Sequence, residues 1–137
     1  MNSRVQTAVD LREKHGYNCA QAILCAYADI FGLDEAAAYR IAEGFGTGMG
    51  GMGETCGALT GAFMLLGLKN GSPVGDKAAR AALYKEIRDL SAAFQAEAGA
   101  TLCRELKGQT GLPVYPCAKC IETAAKLIEE RINAQSK

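Results

Sequence analysis

The sequence predicts an all-α protein, a compact bundle of about five to seven helices interrupted by a glycine-rich loop. Three observations predict it. Apolar residues recur at three- and four-residue spacing in several separate stretches, as helices that bury one face require. No stretch alternates apolar and polar residues over more than a few positions, and Leu112 to Tyr115, the one extended candidate, is too short to build a sheet. Eight of the 16 glycines fall in the 18 residues from Gly44 to Gly61. The backbone entropy lost at each glycine rules out ordinary helix over the first part of that stretch.

Taken in order, Val5, Ala8, Val9 and Arg12 give a first helix from about Ser3, a cap candidate, to Lys14, ending near His15-Gly16. Asn18 and Gln21 form a capping box for a second helix, whose face of Ala20, Ile23, Leu24, Tyr27, Ala28 and Phe31 runs to a stop at Gly32. Asp34 caps a third helix that continues through Ala38 and Ile41 to Glu43. After the glycines, a fourth helix from about Thr55 to Asn70-Gly71 carries few polar side chains, which predicts the central and most buried element. Ser72-Pro73 opens a long fifth helix with Ala79, Leu83, Ile87, Leu90 and Phe94 on one face. A short turn at Thr101 to Leu106, a loop with Gly108, Gly111 and Pro113, and a last helix opened by Pro116 complete the chain. That helix has a stripe of Ile121, Ala124, Ala125, Ile128 and Ile132.

The 137 residues fit one domain, 1–137, with no repeat or linker. Fifteen basic and 15 acidic side chains cancel, so no long-range steering toward nucleic acid is expected. The start lacks a charged segment followed by an apolar run, and Ala58 to Leu68 is too short and glycine-rich to span a bilayer, so no membrane insertion is expected. A cytoplasmic location follows from that reading. Six cysteines in such a chain point to metal binding or redox chemistry, since disulfides are rare in a reducing compartment.

Cys19, Cys56, Cys117 and Cys120 fall in the first turns of helices, and Cys103 lies in or beside the first turn of a short one. Unpaired amides and the positive helix end there favour a thiolate, or an anionic cluster held nearby. Cys25 lies six residues beyond Cys19, about 120 degrees around the helix, and is assigned to packing. Cys117-Ala-Lys-Cys120 is a lone Cys-x-x-Cys; the thioredoxin reading needs a βαβ unit that the chain does not offer. His15 reads as a helix C-terminal residue, and Glu54 as a loop or capping group. Gly46 to Gly51 matches Gly-x-Gly-x-x-Gly formally but follows a helix instead of a strand, so a dinucleotide site is not indicated. The amides of this loop form a candidate anion nest, with Gly46, Gly48, Gly50, Gly51 and Gly53 as candidate cofactor-contacting positions and Met49 and Met52 as core filler.

Asn18-Cys19-Ala20-Gln21, the Gly-Phe-Gly run into Cys56-Gly57-Ala58-Leu59-Thr60-Gly61, Cys103-Arg104-Glu105-Leu106, and a last cysteine followed by Ala124-Ala125 occur in order. Together they resemble a family of redox-active proteins defined by four cysteines and a Cys-Gly-Ala-x-x-Gly motif. The resemblance covers about Gly16 to Ile128. It implies an all-helical protein with four family cysteines, Cys19, Cys56, Cys103 and Cys120. The family is also similar to the C-terminal iron–sulfur region of split-Soret cytochrome c, and its members are often encoded near transporter genes. No Cys-x-x-Cys-His is present, so haem attachment is not carried over. Cys117 and Cys25 are additions of this chain, and Cys117 either replaces Cys120 as a ligand or pairs with it.

Three functions stay open at this point. The leading one is electron transfer or redox sensing through the four-cysteine site, with an iron–sulfur cluster that aerobic purification would strip. The others are a metal-free thiol–disulfide protein and a small helical oligomer that binds a partner, with structural cysteines. Apolar faces on nearly every helix also suggest a homodimer, and the gene context implied by the resemblance suggests a redox partner linked to transport.

Overall fold

Among the described residues, 2–134, the computed structural model has seven α-helices: α1 (Val5–Glu13), α2 (Cys19–Tyr27), α3 (Glu35–Glu43), α4 (Gly57–Asn70), α5 (Lys77–Ala98), α6 (Cys103–Leu106) and α7 (Cys117–Asn133). The all-α bundle with its glycine loop between α3 and α4 is as the sequence predicts. Among the described residues the only β pairing is one antiparallel bridge, Thr55 with Leu102. No described helix is long and apolar enough to cross a membrane.

Several boundaries differ from expectation. α2 ends at Tyr27 and continues as a 3-10 turn, Ala28–Phe31, before Gly32 closes it at φ +75°. α5 starts four residues beyond Pro73, because the Asp76 carboxylate accepts from the amides of Ala78 (2.9 Å) and Ala79 (3.4 Å), whereas Ser72 accepts only from Val74 in a local turn. Pro116 stands just before the first turn of α7, not inside it, and α1 has no side-chain cap. Only Leu90 and Phe94 of α5 are fully buried, so its N-terminal half rides on the surface.

The most buried helix is α2, not α4: all nine of its residues are buried, against eight of the 14 in α4. The reason lies in the α4 glycines. A Cβ on Gly57 would stand 2.9 Å from the Ala20 amide nitrogen, and one on Gly61 would stand 2.9 Å from the Ala20 carbonyl oxygen. Their absence lets the two backbones touch, and α1, α3 and α7 pack around α2 as well. The N-terminus of α2 is thereby fixed against that of α4.

Candidate functional site

The N-terminal ends of α2, α4, α6 and α7 meet at one cavity of about 90 Å³, which Arg12 of α1 and Thr47 and Gly48 of the glycine loop also line. Five of the six cysteines line it: Cys19, Cys56, Cys103, Cys117 and Cys120. Cys25 does not. It is buried elsewhere, its thiol 3.9 Å from the Glu35 carbonyl, and burial pushes it up to about 11.

Local bonding positions each of the five. The capping box forms as predicted: Asn18 accepts from the Gln21 amide (2.9 Å) and Gln21 accepts from the Asn18 amide (3.0 Å). Asn18 also donates to the Glu43 carbonyl at 3.0 Å, which ties the start of α2 to the end of α3 where the loop begins. Cys56 and Cys103 are held by a backbone crossing: the Cys56 amide donates to Thr101 (2.9 Å), the Cys103 amide to Glu54 (2.6 Å) and the Arg104 amide to Gly53 (3.1 Å). The Glu54 side chain pairs with Arg104 at 3.2 Å and caps nothing. Tyr115 donates its amide to Leu106 (2.7 Å), and its hydroxyl shares a hydrogen with Thr123 (2.7 Å), which sets the approach to α7. The Cys120 thiol donates to the Tyr115 carbonyl at 3.6 Å.

The loop supplies a wall of unusual backbone. Thr47, Gly48, Met49, Gly50 and Gly51 all have positive φ, a left-handed turn five residues long that only glycine enters without strain. Gly48 is required twice over, because at φ +71° a Cβ would also stand 2.5 Å from the Glu54 amide nitrogen. Gly53 is left-handed too, whereas Gly46 is not and is small because Asn18 lies against it. Gly44, where the loop begins, has an ordinary helical φ of −72° and open space around it. Of the glycines named as cofactor-contacting, Gly48 lines the cavity, and Gly46, Gly50, Gly51 and Gly53 shape the loop behind it. Met52 is 67% exposed, so it is not core filler.

The sulfurs interact in two pairs, Cys19 with Cys117 and Cys56 with Cys120. Contact with the Cys19 thiol, followed by the attraction of Arg12 and Lys107, pulls Cys117 down to about 5 against the opposing effect of burial. Cys19 is pushed up by its interaction with Cys117 and by burial. In the second pair Cys56 is lowered, chiefly by Cys120 and then by the nearby amides of Ala58 and Leu59, and Cys120 is raised. Burial raises Cys103. Within each pair one member is lowered and the other raised, so the two titrate together. The Arg12 Nε is buried without a hydrogen-bond acceptor, and the guanidinium acts on Cys117 through hydrogen bonding and charge together.

Exposure separates the five. Cys117 is half-buried and reaches solvent, whereas Cys19, Cys56, Cys103 and Cys120 are buried. Arg12, Lys107 and Tyr115 are site residues that the sequence did not single out, and only the tertiary fold brings them to the cysteines. His15, exposed in the turn after α1, does not line the cavity.

Residues 17–131 match the family described as "Putative redox-active protein (C_GCAxxG_C_C)". The chain belongs to that family. The matched span takes in all five cavity cysteines, and it shows redox activity as the family's character without naming a reaction or cofactor. The family's pattern writes glycine before cysteine, whereas this chain reads Cys56-Gly57-Ala58-Leu59-Thr60-Gly61, with the first two letters exchanged and the Ala-x-x-Gly spacing kept. No curated protein and no solved structure matches the chain.

Proposed function

We propose that this family member is a thiol–disulfide redox protein in which Cys117 is the attacking sulfur and Cys19 the resolving one. The observation that carries the reading is that Cys117, the one cavity cysteine not fully buried, lines the same small cavity as the buried Cys19, whose thiol helps to lower the Cys117 pKa. The Cys117 thiolate attacks one sulfur of a substrate disulfide, forms a mixed disulfide and expels the other half as a thiolate. The Cys19 sulfur then attacks the Cys117 sulfur, and the substrate's remaining half leaves with the Cys19 proton. The substrate gains two electrons and the chain ends with a Cys19–Cys117 disulfide. Cys56 and Cys120 stand behind as a second pair.

A metal-bound reading has its own support, since five thiols on one cavity suit an iron–sulfur cluster in kind and number. Cys19, Cys56, Cys103 and Cys120 would hold it, as the likeness to the split-Soret cytochrome region suggests, and the cluster would supply one-electron transfer. Weighing toward the dithiol reading, the strongest interactions run within Cys19–Cys117 and Cys56–Cys120, and among the described residues no three metal-binding side chains are grouped around one point.

The deciding experiment treats reduced protein, purified without oxygen, with a limiting small disulfide and maps the bridges by mass spectrometry. Cys19–Cys117 is expected as the first bridge, with Cys19→Ser stopping at the mixed disulfide. A first bridge between Cys117 and Cys120 would overturn the assignment of Cys19. Stoichiometric iron and inorganic sulfide in the same preparation, lost in Cys56→Ser, would replace the dithiol reading with the cluster.

A further inference from the structure

We propose that the cavity takes a short inorganic polysulfide, a small anionic carrier of sulfane sulfur, and that the Cys117–Cys19 pair reduces its terminal sulfur to hydrosulfide. The inference rests on the dithiol reading above and names its substrate class.

Size comes first. At about 90 Å³ the cavity has room for a few non-hydrogen atoms, far below the roughly 300–1,000 Å³ of sites that engulf drug-sized ligands. A glutathione-sized or peptide disulfide would reach the opening but not the interior. Charge comes second. Arg12 and Lys107 both line the cavity, no carboxylate does among the described residues, and neither cation forms an ion pair among them. Two cations without a carboxylate partner, beside the single Cys117 thiolate they attract, favour an anion that is also a sulfur electrophile. The chemistry of the wall comes third. Apart from the two cations, the side chains facing the interior are largely thiols, with Asn18, Thr47 and Tyr115 as the polar remainder, so the lining matches a chain of sulfur atoms in softness.

The step balances without a further reactant. The Cys117 sulfur bonds to the terminal sulfur of the polysulfide, the adjacent sulfur–sulfur bond breaks, and a polysulfide one atom shorter leaves as the anion. Cys117 is now a persulfide. The Cys19 sulfur attacks the Cys117 sulfur, the terminal sulfur leaves with the Cys19 proton as hydrosulfide, and a Cys19–Cys117 disulfide remains. One sulfane sulfur gains the two electrons that the two cysteines lose.

The test challenges reduced full-length protein under argon at neutral pH with limiting inorganic tetrasulfide, glutathione disulfide or uncharged dimethyl trisulfide, reading sulfide release and the mass of each cysteine peptide. Tetrasulfide is expected to give the Cys19–Cys117 bridge and equimolar sulfide at least about tenfold faster than glutathione disulfide gives the bridge, in the range that steering by a charged cleft supplies. Cys19→Ser should stop with one extra sulfur on Cys117. Lys107→Gln, a change at an exposed position, should slow tetrasulfide more than dimethyl trisulfide. Glutathione disulfide forming the same bridge as fast as tetrasulfide would overturn the substrate class and leave the dithiol reading standing. Equal slowing of the charged and uncharged reagents in Lys107→Gln would also overturn the anion selectivity. No Cys19–Cys117 bridge with any reagent would overturn both readings.

Discussion

Arg12 is the residue that most directly sets how Cys117 behaves, and nothing in the first helix's apolar spacing announces it. Its guanidinium is held beside the Cys117 sulfur and away from carboxylates, so Arg12→Gln should raise the pH at which the Cys117 thiolate appears above about 5, followed by thiolate absorbance or by alkylation across pH. An unchanged profile would assign the depression to Cys19 and Lys107 without Arg12. The two partners affect stability with opposite sign. Cys117 titrates lower in the folded chain, so its contribution is fully present above the unfolded value of about 8.5 and is lost as the pH falls to about 5. Cys19 titrates higher when folded, so its contribution is present below about 8.5 and is lost as the pH rises beyond it. The gap in melting temperature between the reduced parent and Cys117→Ser should accordingly widen from pH 5 to pH 8. The placement of the cysteines at helix starts was legible in the sequence, because the Asn18–Gln21 capping box, the end of the glycine run and Pro116 mark the starts of α2, α4 and α7. Which cysteine faces solvent was not, because that depends on how the loop before α7 packs on Leu106.

At the scale of elements, the close crossing of α2 and α4 is what brings Cys19 beside Cys56. Gly57 and Gly61 allow it, because neither carries a Cβ where the two backbones touch. Gly61→Ala would press a methyl against the Ala20 carbonyl at 2.9 Å and Ile23 at 3.0 Å, backbone and a branched side chain that yield little. A loss of about 1–3 kcal/mol is expected in denaturant melts. Gly67→Ala in the same helix meets nothing within 4 Å and should stabilise by roughly 0.4–1 kcal/mol through the unfolded chain. Equal effects at the two positions would remove close packing as the reason for the glycines. The sequence misplaced the most buried element because α4's apolar composition was readable and α2's neighbours were not: burial on every side comes from α1, α3, α4 and α7 closing around it. The start of α5 was misread for a local reason, since Asp76 is the stronger cap and lies downstream of Ser72-Pro73.

At the scale of the molecule, the cysteine cavity and the main buried polar cluster sit at opposite ends of the same helices. Glu129 accepts from the Tyr27 hydroxyl (2.6 Å), the Arg4 amide (2.6 Å) and the Ser3 hydroxyl (3.4 Å), which joins the far ends of α2 and α7 to the start of α1. Burial, then the bond to Glu129, pushes the Tyr27 hydroxyl up, so it remains a donor at neutral pH. Twelve residue steps along α7 lead from Cys117 to Glu129, about 18 Å of helix. Two sites that far apart without shared partners should behave independently. Tyr27→Phe removes one donor from a buried carboxylate and should lower stability by about 1–3 kcal/mol, read from denaturant melts. The same variant should leave the alkylation profile of Cys117 where it is. Combined with Arg12→Gln, its stability cost should add to that of the second change within about 0.5 kcal/mol. If Tyr27→Phe instead shifts the Cys117 profile, the two ends are mechanically coupled through α2 and α7, and the redox site then depends on the whole bundle and not only on the helix starts that line it.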